Sequence, residues 1–411
     1  MKIRKTLVAI FWTILLCIAV SGQPDWQVQT SPIQDDLVSV SFADSLNGWA
    51  VSDSGTVIHT INGGLTWEIQ HTFDRLLHGK IFFQDKQTGW LAGVNSLAND
   101  TASIMKTMDG GDTWDTSYIH LYAKLFDIFF INDTMGWAVG FGGDTLGLRL
   151  HTIDGGQSWS TQAGIDIVGI FTSVHFRDTA RGDICGPGPI MMHTISGGRG
   201  ASPWAMNIFN LKKPMYDLVN VGELYGCMVG ADGKLFFTKD QWNNFMEYDY
   251  GPGDTLWSVD AIEPLGFWVV GEAGTILFVG YNFLGLAVED QSRDIPQDLL
   301  EIEALDDAHA WAVGEEGTIL FFGFDPSSGI NSPAIDGIQV FPNPATDHIR
   351  VHNLGKGVDQ IELYSMQGKL MRKSLVPHGQ TKTLMDLGGL DPGTYILQAG
   401  EDRRQLVIMQ Q

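Results

Sequence analysis

A short unit that recurs along the chain is the feature that most restricts its fold. The unit is clearest at residues 136–159, where the apolar run GWAVG is followed by the turn TIDGGQSW. The run is short, contains Trp and Val and is bounded by glycines, which is typical of a buried strand. In the turn, two glycines supply positive φ without steric cost, and the acidic side chain before them can bond to local amides. The Trp then begins the next strand.

Seven copies of the apolar run can be aligned, and their spacing indicates the fold class. The second residue of the run recurs every 41 to 47 residues. A period of this length, with about four short strands per copy, is what propeller blades require, and no helical periodicity indicates a solenoid. The sequence therefore predicts an all-β, seven-bladed β-propeller. The second residues of the seven runs are Trp49, Trp90, Trp137, Asp183, Cys227, Trp268 and Trp311.

The last blade of the repeat region lacks a strand, and the N-terminal end of the region has an extra one. Blade seven shows three strands, at residues 300–305, 310–314 and 318–324, and no fourth strand follows them. Residues 26–30 match the outer strand of the other blades, which begins with Trp, and have no preceding strands of their own. We expect this N-terminal strand to complete blade seven and to close the ring, which removes two exposed sheet edges.

Composition divides the chain into four segments. Residues 1–22 combine basic residues, an apolar run and small residues at a cleavage position, which predicts a secretory signal peptide that is too short for a membrane anchor. We expect the propeller at residues 23–325 and a linker rich in Ser, Pro and Gly at 326–336. In residues 337–411, six or seven short alternating strands predict a small immunoglobulin-like β-sandwich. No other stretch is long enough to span a bilayer, so no transmembrane segment is expected in the mature chain.

Charge and cysteine content restrict the partners. The net charge is −23, which disfavours nucleic acid and anionic membrane surfaces and favours solubility, and we expect a monomer. Outside the signal segment the only cysteines are Cys185 and Cys227, in equivalent strands of neighbouring blades. That separation is too large for a relaxed disulfide, so we interpret both as small buried core residues.

The repeat resembles that of the photosystem II assembly and stability factor family. The shared pattern is Phe-x-Asp, then Gly-Trp-Ala-Val-Gly, then Thr-x-Asp-Gly-Gly-x-Thr-Trp. Its last part overlaps the Asp-box signature of sialidases, xyloglucanases and sortilin-type receptors. The resemblance covers about residues 24–325 and implies a propeller. It implies no single function, because these relatives do unrelated work on one scaffold.

Residues 337–411 resemble the type A C-terminal sorting domain of the type IX secretion system. The match lies in FPNP at 341–344, LYSMQGK at 363–369 and LDPGTY at 390–395. The resemblance implies a Bacteroidetes-type cell, in which the type IX machinery recognises residues 337–411 and moves the protein across the outer membrane. It also implies removal of the tail and attachment to surface lipopolysaccharide. We therefore expect a secreted or surface-attached protein.

Motifs for catalysis are weak or absent. The acidic position of the glycine turn is Asn62, Asp109 or Asp154; such a side chain caps its own turn, and Asn would be a poor acid. Nucleophile elbows, phosphate loops, zinc-ligand clusters and calcium loops are missing, so we expect no catalytic residue, cofactor or metal. The alternative is a sialidase- or xyloglucanase-like glycoside hydrolase, which needs two carboxylates across a cleft. Some pair is inevitable in so acidic a chain.

When the innermost strands of the seven blades are aligned, one position, which we call the polar column, indicates a binding site. Each of its members is polar, whereas the next column is entirely apolar and must belong to the core between blades. A polar ring where the innermost strands begin would lie at one mouth of the central channel, although hydration of the channel would also explain it. We predict that Lys80, Asp127, Asp217 and Glu301 bind an extracellular protein or glycan there. The complete column is Ser39, Lys80, Asp127, Ser173, Asp217, Ser258 and Glu301.

Overall fold

The computed structural model describes residues 24–408 with short gaps. The gaps are 74–75, 96–100, 143–146, 163–168, 189, 201–203, 209–212, 252, 263–265, 283–284, 307, 324–338, 342–347, 353–357, 359, 366–368, 377–382, 391–392 and 401. The predicted signal peptide and linker lie outside the described residues. The chain divides after residue 324 into two compact units. The predicted segment boundaries stay predictions.

Within the described residues, the first unit contains seven four-stranded antiparallel sheets, as predicted for a seven-bladed propeller. Six sheets take four consecutive strands, from the channel outward. The first three are β2 (Leu37–Phe42), β3 (Gly48–Ser52), β4 (Thr56–Thr60) and β5 (Glu68–Thr72); β6 (Leu76–Phe83), β7 (Gly89–Asn95), β8 (Thr101–Thr107) and β9 (Asp115–His120); and β10 (Lys124–Phe130), β11 (Gly136–Phe141), β12 (Gly147–Thr152) and β13 (Ser160–Thr161).

The next three blades repeat this order. They are β14 (Ser173–Phe176), β15 (Gly182–Cys185), β16 (Ile190–Thr194) and β17 (Ala205–Ile208); β18 (Met215–Val221), β19 (Tyr225–Gly230), β20 (Lys234–Thr238) and β21 (Met246–Asp249); and β22 (Leu256–Ile262), β23 (Gly266–Gly271), β24 (Ile276–Asn282) and β25 (Gly285–Asp290). Three short 3₁₀ turns, Ala231–Gly233, Glu272–Gly274 and Glu315–Gly317, each follow the second strand of a blade. None of the described residues form a helix that could cross a membrane.

The seventh blade joins both ends of the propeller. It contains β26 (Leu299–Asp306), β27 (His309–Gly314) and β28 (Ile319–Gly323), and its outer strand is β1 (Asp25–Gln29). β1 pairs antiparallel with β28, from Asp25 opposite Gly323 to Gln29 opposite Ile319. Trp26 is buried, with its ring 5.2 Å from that of Trp268. The predicted closure by the N-terminal strand is confirmed.

In four of the seven blades, the Trp of the repeated run stacks on a Phe of the next blade. Trp137 lies flat on Phe176 of the following blade, with ring centroids 3.5 Å apart, and its indole N–H donates to the Gly197 carbonyl at 3.1 Å. Such stacks combine a large buried area with a satisfied polar group. The other Trp–Phe stacks are Trp49–Phe83, Trp90–Phe130 and Trp311–Phe42.

The glycine before that Trp has a steric reason. A Cβ on Gly136 would lie 2.5 Å from the ring of Phe130, the residue that stacks on Trp90. The Phe ring therefore fits between the backbone at Gly136 and the indole of the preceding blade. Only Gly leaves that room.

The seam between blades four and five is polar, whereas four other seams contain a Trp–Phe stack. Asp183 occupies the Trp position, and Asn220 occupies the Phe position. Arg177 lies 2.6 Å from the Asp183 carboxylate, which also accepts a hydrogen bond from Asn220 at 3.1 Å. Burial raises the pKa of Asp183 to about 6, against the opposing effect of Arg177. The free thiols of Cys185 and Cys227 are buried, as expected.

The second unit is built from two antiparallel sheets. One contains β29 (Gln339–Phe341), β30 (His348–His352) and β33 (Thr383–Asp386). The other has the order β32 (Leu370–Leu375), β31 (Gln360–Ser365), β34 (Gly393–Ala399) and β35 (Asp402–Ile408). Ile349 and Met385 of the first sheet share one core with Leu363 and Leu397 of the second. The two sheets form a small sandwich; its immunoglobulin-like topology stays a prediction.

Candidate functional site

The inner strands enter the central channel through β-bulges. The pairing of β10 with β11 shifts between Leu125 and Asp127, and equivalent shifts occur in β2, β6, β18, β22 and β26. A bulge re-aims the side chains beside it. In this channel, both the bulged residue and the polar residue after it line the mouth, as Phe126 and Asp127 do.

The structure brings the four predicted site residues together. The Lys80 ammonium lies 2.6 Å from Glu301 Oε1 and 3.9 Å from Asp127 Oδ1. The Ser258 hydroxyl donates to Asp217 Oδ2 at 2.9 Å, and it also lies 3.4 Å from Glu301 Oε1. We call Lys80, Asp127, Asp217 and Glu301 the charged ring. These residues come from blades two, three, five and seven.

Two carboxylates of the charged ring, Asp127 and Asp217, also join neighbouring blades. Asp127 accepts hydrogen bonds from the backbone N–H groups of Ile128 at 2.8 Å and of Val174, in the next blade, at 2.7 Å. Asp217 does the same with Leu218 and with Val259 of the next blade, at 2.8 and 2.9 Å. Such bonds satisfy the amides of the innermost strands. The polar column therefore has a structural purpose that the sequence analysis missed.

Burial and crowding change the acidities of these groups. Burial alone would lower the pKa of Lys80, but Glu301, Asp127 and Asp217 together raise it above its ordinary value. Burial raises the pKa of Asp127 to about 7 although Lys80 opposes it, and it raises the pKa of Glu301 to about 7 in the same way. The ring holds three carboxyl groups and one ammonium, so two of its acids resist ionisation near neutral pH.

The charged ring lies between two cavities of the channel. The mouth cavity, of about 160 Å³, is lined by the charged ring and by Val38, Gly79, Phe126, Thr172, Tyr216 and Trp257. The inner cavity, of about 150 Å³, is lined by the same four charged residues and by Ser41, His175, Asp260 and Glu303 among others. The charged ring thus lies at the boundary between the two cavities and forms the floor of the mouth cavity.

A second polar layer borders the inner cavity and was not anticipated. Asp260 accepts the Ala304 N–H at 2.8 Å, and Glu303 accepts the Phe42 N–H at 2.9 Å. Both residues lie two positions after a member of the polar column, so the period of two in a strand could have revealed them. Burial raises the pKa of Asp260 to about 6 and that of Glu303 well above its usual range.

Three aromatic residues of the mouth were also missed. Phe126, Tyr216 and Trp257 each precede a member of the polar column, and the rings of Tyr216 and Trp257 lie 4.9 Å apart. Strict alternation would direct them away from the channel. A bulge in each strand redirects them, and no sequence signal marks its position.

The connections from β7 to β8 and from β11 to β12 include residues outside the described ones, at 96–100 and 143–146. The strands that flank them end at the mouth, because Asn95 pairs with Leu76 and Phe141 pairs with Lys124 at the beginnings of inner strands. Strand direction alternates within a blade, so the glycine turns lie at the opposite end of the channel.

The acidic residues of the glycine turns stabilise their own turns. Asp154 accepts hydrogen bonds from the Ser158 N–H at 2.9 Å and the Ser158 hydroxyl at 2.6 Å, and these bonds lower its pKa to about 2. Asp109 is arranged in the same way around Thr113. Within the described ranges, no group of three or more His, Cys, Asp or Glu side chains is arranged to hold a metal ion.

The described residues define an all-β protein of two units, a closed seven-bladed propeller with a charged channel mouth and a two-sheet domain. Residues 114–248 match the family of the photosynthesis system II assembly factor YCF48, and residues 339–409 match the secretion system C-terminal sorting domain. The predicted resemblances are thereby confirmed. The sorting domain indicates export by the type IX system to the cell surface or the medium. No curated protein matches the sequence significantly.

Solved structures support the propeller fold. A structure of YCF48 bound to D1 peptide is 18% identical, with a TM-score of 0.59, and the match covers 74% of this chain and 100% of that one. YCF48 from Cyanidioschyzon merolae is 16% identical, with a TM-score of 0.59 and coverages of 73% and 99%. The WD40 β-propeller domain of Doa1 is 9% identical, with a TM-score of 0.57 and coverages of 74% and 98%. At these identities the likeness concerns the fold alone.

Proposed function

We propose that this protein is a non-catalytic binding module, delivered by the type IX machinery, whose ligand occupies the channel mouth. The observation that supports this is the mouth cavity itself, with the charged ring as its floor and aromatic residues in its wall. Concave sites with apolar walls and a few convergent polar groups are the usual form of ligand sites. The ligand is an extracellular protein or glycan, and the protein acts as a monomer.

The contacts of Lys80 favour binding over glycoside hydrolysis. A glycosidase needs a free carboxyl group on each side of the bond that is broken. Lys80 contacts both Glu301 and Asp127, and thus occupies the space between these two carboxyl groups. One observation favours the hydrolase alternative, which is that the pKa of Glu301, at about 7, would suit a general acid.

A ligand screen with site variants tests the proposed function. The chain from residue 23 to 411 would be applied to a glycan array and used to capture extracellular proteins, which are then identified and purified. We expect a ligand whose binding weakens at least tenfold in Tyr216→Leu, whereas Asp154→Asn on the opposite face leaves binding unchanged.

The same ligands are then incubated with the protein and analysed for products. Turnover that disappears in Glu301→Gln would overturn the non-catalytic assignment. A ligand whose affinity is insensitive to Tyr216→Leu, Trp257→Leu and Asp217→Asn would move the site away from the mouth.

A further inference from the structure

We propose that the channel mouth receives one lysine or arginine side chain of an extracellular polypeptide. This inference rests on the proposed function and names the chemical group that enters the site. The ammonium or guanidinium group would lie against the charged ring, and the aliphatic part of the side chain would lie along the aromatic wall.

Charge balance favours a cation. The charged ring has three carboxyl groups for one ammonium, and Asp260, whose pKa is about 6, adds a further carboxyl group below it. Lys80 contacts Glu301 and Asp127. In the part of the chain that the structure describes, no cationic side chain lies within ion-pair distance of Asp217. An incoming cation would therefore supply the charge that the mouth lacks, whereas an anion would add to the excess.

The wall of the mouth suits the same group. Phe126, Tyr216 and Trp257 present aromatic surface immediately above the acids. A cation near an aromatic face is attracted by the ring quadrupole, and the long stems of Lys and Arg pack on apolar surface while the charged end stays in a polar environment.

The size of the cavity favours a single side chain. Pockets for whole small-molecule ligands usually have volumes of roughly 300–1,000 Å³. The mouth cavity has about 160 Å³. It is therefore too small for an oligosaccharide and of the right order for one long side chain, while the polypeptide that bears it would stay outside the channel.

The proposal includes a pH dependence. The pKa values of Asp127 and Glu301, both about 7, imply that the mouth gains negative charge between pH 6 and pH 8, so cation binding should strengthen over that range. His175 stays neutral there, because burial and Arg177 lower its pKa to about 3. Besides Lys80 and Asp217 of the ring itself, the titratable groups that face it among the described residues are Asp260, Glu303, Tyr216 and the thiols of Cys185 and Cys227.

Calorimetric titration with three acetylated and amidated tripeptides tests the inference. The probes are Gly-Lys-Gly, Gly-Arg-Gly and Gly-norleucine-Gly, and the protein is the chain from residue 23 to 411. We expect the two basic peptides to bind at least tenfold more tightly than the norleucine peptide at pH 8, with a smaller ratio at pH 6. Trp257→Leu and Asp217→Asn should each reduce this ratio at least fivefold, and Asp154→Asn should not.

The possible outcomes separate the two proposals. Equal binding of the three peptides would overturn the inference, and the proposed function would stand if the screened ligand still depended on Tyr216. If Asp217→Asn does not fold, Trp257→Leu decides the outcome. A preference for basic peptides that survives both substitutions would indicate general attraction to an acidic surface and would also overturn the inference.

Discussion

At the scale of single residues, Asp127 joins the fold to the site. Its carboxylate accepts two backbone hydrogen bonds, one of them from the next blade, and it faces Lys80 in the channel. The sequence could predict that this position is polar and lies at the mouth, because the repeat aligns the inner strands. It could not predict the hydrogen bonds between blades, since these depend on how closely adjacent inner strands approach each other.

The substitution Asp127→Asn tests the acidity of this carboxyl group. Folding raises its pKa from the ordinary 3.8 to about 7, so the folded state holds the proton more tightly than the unfolded state. The stabilisation that proton binding by Asp127 gives to the wild-type fold is therefore lost as pH rises from about 4 to 7. Asn does not titrate, so the variant does not undergo this loss. We expect the melting temperature of the variant, relative to wild type, to rise by a few degrees between pH 5 and pH 8. A difference that does not change with pH would contradict the raised pKa.

Gly136→Ala tests the steric requirement of the repeated run. The added methyl group would meet the ring of Phe130 at 2.5 Å and displace its stack on Trp90, which should cost about 1–3 kcal/mol of unfolding free energy. Gly188→Ala is the matched control, because a Cβ there has no neighbour within 4 Å. Denaturant unfolding of both variants measures the difference. Equal stabilities would refute the steric explanation.

At the scale of strands and turns, the sequence predicted the elements whose repeat is intact and missed those in which other residues replace it. The turn of blade five has no paired glycines in the sequence, yet Asp240 accepts the Asn244 N–H at 2.8 Å as Asp154 does with the Ser158 N–H. Gln241 and Trp242 take the positive φ values that paired glycines take elsewhere. The polar seam at Asp183 was missed for a similar reason, because a buried ion pair replaces an aromatic stack.

Deletion of residues 25–29 tests the closing strand. The seventh sheet would lose Trp26 and the hydrogen bonds of β1 to β28, and we expect a loss of unfolding free energy of about 3–5 kcal/mol, the typical cost of removing a buried Trp. The control is Val28→Ser, on the same strand, where the side chain is 76% exposed. Thermal unfolding of both proteins gives the comparison. A deletion variant as stable as the control would show that β1 is dispensable.

At the scale of the whole molecule, the propeller and the sorting domain have separate cores and separate purposes. The period of the repeat predicted the number of blades, because the repeated run recurs every 41 to 47 residues. Three short motifs in the tail predicted export, because they resemble those of a known sorting domain. The lining of the mouth was predicted only in its charged part. Its aromatic part depends on bulges, which are a property of the assembled sheets.

Removal of residues 337–411 tests this division of purposes. We expect the shortened chain to fold, to remain monomeric in light scattering, and to accumulate in the periplasm of its native host, because the sorting signal is gone. The reciprocal control attaches residues 337–411 to an unrelated periplasmic protein, which should then reach the cell surface. Surface display of the shortened chain, measured by protease accessibility on intact cells, would refute the assignment.

The pairing of Asp25 with Gly323 also determines the order of events during biosynthesis. Six blades are built from consecutive strands and can form as the chain emerges, whereas β1 must wait until nearly three hundred further residues have been made. Contacts between such distant segments form slowly, because the loop between them must close first. Until then the propeller is an open crescent with two unpaired edges. The propeller therefore closes only when β28 is available to pair with β1, and a chain interrupted before β28 leaves unpaired strand edges of the kind that favour aggregation.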